Sequence, residues 1–107
     1  MKKKIGVGLL GLGTVGTGVA KIIQTPEYRH PLVSDIELVK VAVRNLKRPR
    51  GNEVPISLIT EDPQEVVDDP SVDLVVEVIG GIEPARTLVM RAIAAGKSVV
   101  TANKAVI

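Results

Sequence analysis

Ile5-Gly6-Val7-Gly8-Leu9-Leu10-Gly11-Leu12-Gly13-Thr14-Val15-Gly16 opens the chain with five glycines in twelve residues. So many glycines weaken an ordinary strand or helix, because each one loses more backbone freedom on folding than any other residue. The stretch makes sense if its backbone must turn sharply and be approached closely. Gly11-Leu12-Gly13-Thr14-Val15-Gly16 fits G-x-G-x-x-G. It follows an apolar run, Ile5 to Leu10, and precedes apolar residues at helical spacing, Val15, Val19, Ile22 and Ile23. Strand, glycine turn and helix in that order are the context in which this pattern signals a dinucleotide site. Gly11 then serves the tight turn out of the strand. Gly13 lets a pyrophosphate reach the backbone, and Gly16 lets the helix pack against the sheet. The first N–H groups of the helix, near Thr14 and Val15, have no partner within the helix and face the phosphates. Gly6 and Gly8 lie inside the strand and are expected to serve close helix packing.

Beyond this stretch the chain keeps alternating. Ile36 to Val43 reads as a second strand and Ile56 to Thr60 as a short third. Asp62-Pro63-Gln64-Glu65 reads as a helix start, with Asp62 as cap, Pro63 at the first helical position and Glu65 closing a capping box. Pro70 stops that helix, and Leu74 to Ile79 is the fourth strand. Pro84 opens a helix with Ala85, Leu88, Val89, Ala92 and Ile93 as its buried stripe. Gly96 falls where a C-terminal cap belongs, and Lys97 to Thr101 is the fifth strand. Strands alternating with helices predict a parallel sheet with right-handed crossovers. The expected fold is α/β, a Rossmann-like doubly wound sheet of order 3-2-1-4-5. A sixth strand of the full pattern is missing, so residues 1–107 read as most of an NAD(P)-binding domain cut from something longer.

The bulk composition agrees. Of 107 residues 45% are apolar and 24% charged, which is globular, and Tyr28 is the single aromatic. The core must come from Val, Ile, Leu and Ala, as in buried parallel strands. There is no cysteine, which excludes disulfide and thiolate chemistry, and His30 is the only histidine, which argues against a histidine-based metal site. A net charge of +2 is too small to argue for nucleic acid. No apolar run reaches membrane-spanning length. Lys2, Lys3 and Lys4 before a short apolar run superficially match a signal peptide, but the glycines and the lack of a cleavage pattern oppose that. A cytoplasmic protein is expected.

The strand ends are where ligands of open α/β sheets sit. An acidic residue after strand two would take the ribose hydroxyls of NAD. Here the chain reads Val43-Arg44-Asn45, then Lys47, Arg48 and Arg50. Arg44 can pair with a 2′-phosphate, which predicts NADP(H) as the preferred cofactor with NAD(H) possible. Lys47, Arg48 and Arg50 read as a solvated basic loop. Gly80-Gly81 after strand four permits close approach of a nicotinamide ribose. Strand five ends in Thr101-Ala102-Asn103-Lys104, which makes Thr101 and Lys104 expected cofactor contacts and brings Lys104 to the rim where a substrate carbonyl would meet the cofactor. Glu77 lies inside an apolar strand and can either bond locally or face the cleft.

"GLGTVGTGV", "VDLVVEVIGGIEPA" and "AGKSVVTANKAVI", in this order, resemble homoserine dehydrogenase from Ile5 to Ile107. The first segment is shared with many dehydrogenases; the other two are more specific. The resemblance implies interconversion of L-homoserine and L-aspartate 4-semialdehyde with NAD(P), on the path to threonine, methionine and isoleucine. It implies that Lys104 sits beside the nicotinamide and the substrate hydroxyl, with a part in proton transfer or in polarising the carbonyl. It also implies a further catalytic lysine and carboxylates in a later domain, often a regulatory domain, and a homo-oligomer at full length. These residues alone are then expected to be inactive. Two other readings compete. A nucleotide-sensing module that gates ion transport uses a glycine-rich turn but has no use for Lys104. A sugar dehydrogenase of the glucose–fructose type usually has Glu-Lys-Pro after strand five.

Overall fold

The computed structural model describes residues 4–25, 35–44, 54–79 and 83–102. The chain alternates β1 (Ile5–Leu10), α1 (Thr14–Gln24), β2 (Ile36–Ala42), β3 (Ile59–Thr60), α2 (Pro63–Asp68), β4 (Leu74–Glu77), α3 (Ala85–Ala94) and β5 (Ser98–Thr101). The five strands form one parallel sheet of order β3-β2-β1-β4-β5. This is the expected Rossmann-like α/β fold. Every strand runs the same way, so all strand exits lie along one edge of the sheet.

The core lies on both sheet faces, as a parallel sheet requires. On one face Val7 and Leu9 of β1 and Leu38 and Val41 of β2 pack with Ala20 and Ile23 of α1. On the other, Leu10, Ala42 and Val75 pack with Val66 and Val67 of α2 and Leu88 and Ala92 of α3. A Cβ on Gly8 would stand 2.5 Å from Val66 Cγ1, so this glycine does let α2 approach the sheet. Gly6 differs: its Cβ would meet the carbonyl oxygen of Ser71, in the turn after α2 and not in a helix.

Besides Gly6 and strand ends that fall one or two residues short, β2 at Ala42 and β4 at Glu77, four details depart from the sequence expectation. The third strand is only Ile59–Thr60, because Ile56–Leu58 is a 3₁₀ turn in which the Leu58 N–H donates to the Pro55 carbonyl at 3.0 Å. Asp62 caps α2 by accepting the Gln64 N–H at 3.0 Å, but Glu65 does not return to the Asp62 amide. Instead the Thr60 hydroxyl donates to Glu65 and accepts the Asp62 N–H, standing between the two ends of the box. On α1 the buried line is Gly16, Ala20 and Ile23, while Val15 is 59% and Ile22 50% exposed. On α3 the stripe Ala85, Leu88, Val89 and Ala92 is buried, but Ile93, one residue past it, is 54% exposed. Gly96 has φ +82°, the left-handed conformation of a helix-terminating residue.

Pairs at the far side of the sheet hold α2 and α3 together. Arg91 of α3 makes a two-pronged contact with Asp68 of α2, at 2.7 and 2.6 Å. Hydrogen bonding from Arg91 holds the Asp68 carboxyl below its ordinary value, and the pair raises the guanidinium. The Ser71 hydroxyl, the Ser71 N–H and Lys40 lower Asp69 in the same way.

Candidate cofactor cleft

The exits of β1, β2 and β4 surround a cleft of about 540 Å³. Its described lining includes Gly11, Leu12, Gly13, Arg44, Glu61 and Ile79. Gly11 leaves β1 at φ +102°, a backbone region that glycine enters without cost. Its N–H donates to the Ala42 carbonyl at 2.9 Å, which ties the turn to the exit of β2. A Cβ on Gly16 would stand 2.4 Å from the Gly11 carbonyl oxygen. Any side chain at position 16 would push the first turn of α1 off the β1 exit. Gly13 is different: a Cβ there would meet nothing within 4 Å. No described residue therefore demands a bare backbone at Gly13, whereas a ligand lying against it would.

Gly13 is also the N-cap of α1, and no side chain caps that helix. The first turn of α1 carries no acidic residue. A helix N-terminus of this kind offers its partial positive charge and free N–H groups to an anion. Thr14 starts the helix, though its side chain lies outside the described residues, as do Gly80, Gly81, Asn103 and Lys104. Lys47, Arg48 and Arg50 are outside them too.

The other residues singled out from sequence fall as follows. Arg44 stands at the exit of β2, exposed and lining the cleft. Val15 points to solvent and Gly16 is buried against Gly11. Thr101 is absent from the described lining, since its hydroxyl donates to Glu77. Glu77 bonds locally: it is fully buried and also accepts the Ile79 N–H at 2.8 Å. The lining residues that sequence reading left unassigned are Ala42, Val43, Glu61, Pro63, Val78, Ile79 and Pro84. Most share one signal, a place at or just beyond a strand's carboxyl end. Glu61, after β3, lines the same cleft as Arg44.

A parallel sheet, a glycine turn at the end of its central strand and an uncapped helix facing a cleft define a dinucleotide-binding domain of the Rossmann class. The sequence matches the family model for the homoserine dehydrogenase NAD-binding domain over residues 11–107. The chain belongs to that family. It is 52% identical over 101 residues to a homoserine dehydrogenase of Synechocystis, covering 94% of this chain and 23% of that protein. Among solved structures, the homoserine dehydrogenase of S. aureus superposes with a TM-score of 0.85 at 41% identity, covering 98% of this chain and 27% of that one. The homoserine dehydrogenase of Thiobacillus denitrificans superposes with a TM-score of 0.79 at 49% identity, over 97% and 24%. The chain thus spans about a quarter of the length of these relatives. Among the described residues no helix is long and apolar enough to cross a membrane, and no cluster of potential ligands could hold a metal ion.

Proposed function

We propose that this chain is the cofactor-binding domain of a homoserine dehydrogenase that interconverts L-homoserine and L-aspartate 4-semialdehyde. The observation that carries the reading is the uncapped N-terminus of α1 opening on a cleft beside Gly13, whose missing Cβ leaves open space among the described residues. Gly11, Leu12 and Gly13 would take the pyrophosphate, together with the first-turn N–H groups of Thr14, Val15 and Gly16. Arg44 would take the 2′-phosphate of NADP(H), the preferred cofactor in this reading, with NAD(H) also accepted. The Gly80-Gly81 turn would lie against the nicotinamide ribose. The bound nicotinamide supplies a hydride acceptor in one direction and a donor in the other. Lys104, four residues past the partner of Val76 on β5, would hold or move the proton of the substrate hydroxyl. A desolvated amine beside a cationic ring has a lowered pKa and can exchange a proton near neutral pH.

The test is NADP⁺ reduction by L-homoserine in the full-length protein. Lys104→Ala should lower kcat by about 10²–10⁴-fold, the usual worth of a general acid–base group, with little change in cofactor binding. A wild-type protein inert toward L-homoserine but active on a sugar would favour the glucose–fructose type of dehydrogenase instead. Near-normal kcat in Lys104→Ala would remove the lysine from the chemistry.

A further inference from the structure

Glu77 is the last residue of β4 and the only fully buried ionisable side chain among the described residues. The binding of phosphates and ribose does not use it. Its two carboxyl oxygens serve different donors. Oε2 accepts the Ile79 N–H at 2.8 Å, and Oε1 accepts the Thr101 hydroxyl proton. Thr101 is its register partner on β5 and the last residue of that strand. Below the side chains, the Ala102 N–H donates to the Glu77 carbonyl at 3.3 Å. One side chain therefore joins the exits of two neighbouring strands. Ile79 is a wall of the cleft, and Thr101 begins the segment that leads to Lys104.

A carboxyl buried at this point is costly unless donors meet it. An apolar residue would fill the same space without that cost, as Val75 does two residues earlier on the same strand. The described hydrogen bonds of Glu77, to Ile79 and Thr101, run along the ligand edge of the sheet. This arrangement suits control of the strand exits better than it suits packing. We propose that Glu77 is a positioning residue: it holds the exits of β4 and β5 in register, so that Ile79 and Thr101 stand in a fixed geometry at the nicotinamide end of the cofactor. The inference rests on the cofactor reading given above.

Glu77→Gln separates this role from bulk. The amide keeps the shape and can still accept the Ile79 N–H, but its NH₂ group cannot accept the Thr101 proton and can only donate to a hydroxyl that has turned away from its present direction. Thr101→Val removes the hydroxyl from the other side. In the full-length protein, both variants should lower kcat with L-homoserine by about tenfold or more, as small misplacements of reacting groups do. NADPH affinity, titrated separately by fluorescence, should change by less than about threefold, since phosphate and adenosine contacts lie elsewhere. The double variant should be no worse than Glu77→Gln alone, because the two residues act as one unit. A merely structural role would lower thermal stability without splitting kcat from NADPH affinity. Wild-type kcat in the folded variants, or losses that multiply in the double variant, would overturn the proposal. If Glu77→Gln does not fold, Thr101→Val decides alone, and wild-type kcat in it counts against the role. A wild-type protein that binds neither NADPH nor NADH would overturn the cofactor reading and this inference together. One that binds while the variants behave like it overturns this inference only.

Discussion

Gly13 and Gly16 stand three residues apart in one motif, yet the structure gives them opposite reasons to be glycine. At Gly16 the obstacle is the protein's own backbone, the Gly11 carbonyl oxygen 2.4 Å from a built Cβ. At Gly13 there is none within 4 Å among the described residues, and its φ of −85° is open to any residue. Gly16→Ala should therefore destabilise the fold by about 1–3 kcal/mol, the usual cost of overpacking. Gly13→Ala should leave the thermal midpoint nearly unchanged and weaken the cofactor instead. Thermal melts of both variants beside an NADPH titration read the difference; a large loss of stability in Gly13→Ala would place its constraint in the protein. Arg44 is separable in the same manner. A charge-assisted hydrogen bond to phosphate contributes about 1.5–3 kcal/mol. Arg44→Ala should weaken NADPH by about tenfold or more and leave NADH little changed, because 1.4 kcal/mol is tenfold. Equal losses for both cofactors would remove the 2′-phosphate from its role.

At the scale of elements, the sequence showed which segments are helices and strands more clearly than which side each one buries. Period and punctuation were enough for the strand order, because Gly11, Pro63, Pro70 and Gly96 mark turns whose geometry few residues permit. The buried line of α1 was not readable from apolar spacing. Val15, Val19, Ile22 and Ile23 form a plausible stripe, but close contact at Gly16 draws the helix against β1. The small residue Ala20 then takes the place facing the sheet, which turns Val15 and Ile22 outward. The shortened β3 has a comparable cause. Pro55 and the 3₁₀ turn after it use up Ile56 to Leu58, leaving two residues to pair with Val41 and Ala42. Within the candidate site, the places of Gly11, Gly13, Gly16 and Arg44 at the exits of β1 and β2 were legible because turn and strand end are local features. Glu61 and Ile79 enter the cleft only through the sheet's geometry, and the partners of Glu77 are long-range or set by the turn. The α2–α3 side also makes a prediction about acid. Asp68 and Asp69 are both lowered in the folded protein, so their stabilisation is present above the ordinary carboxyl range and is lost as pH falls through their lowered values. Asp69→Asn keeps an acceptor for Ser71 but does not titrate. Its thermal midpoint should vary less than that of the wild type between about pH 5 and pH 2. Parallel pH profiles for the two proteins would count against this reading.

For the whole molecule, the parallel sheet collects its strand exits on one edge, and that edge divides the chemistry. The end between α1 and β2 carries helix N–H groups, an open backbone at Gly13 and Arg44, with Glu61 in the same lining. The described lining toward β4 is Val78, Ile79 and Pro84, which can shield a ring from water but cannot hold a proton. Binding and turnover therefore place different demands on the chain. A radius of gyration of 13.1 Å matches a compact domain of about 100 residues, and buried side chains cover both sheet faces. The 107 residues alone should accordingly fold and bind NADPH. Hydride transfer also needs a seat for L-homoserine against the exposed face of the nicotinamide, and the described lining toward β4, Val78, Ile79 and Pro84, carries no charged group to anchor an amino acid's ammonium and carboxylate. The isolated chain should thus bind NADPH in a saturable titration and show no L-homoserine-dependent reduction of NADP⁺, whereas the full-length protein should do both. Turnover by the isolated chain would show that its residues already contain the substrate seat. A failure of the folded chain to bind either NADPH or NADH would mean that the cleft between β1, β2 and β4 needs further residues even for the cofactor.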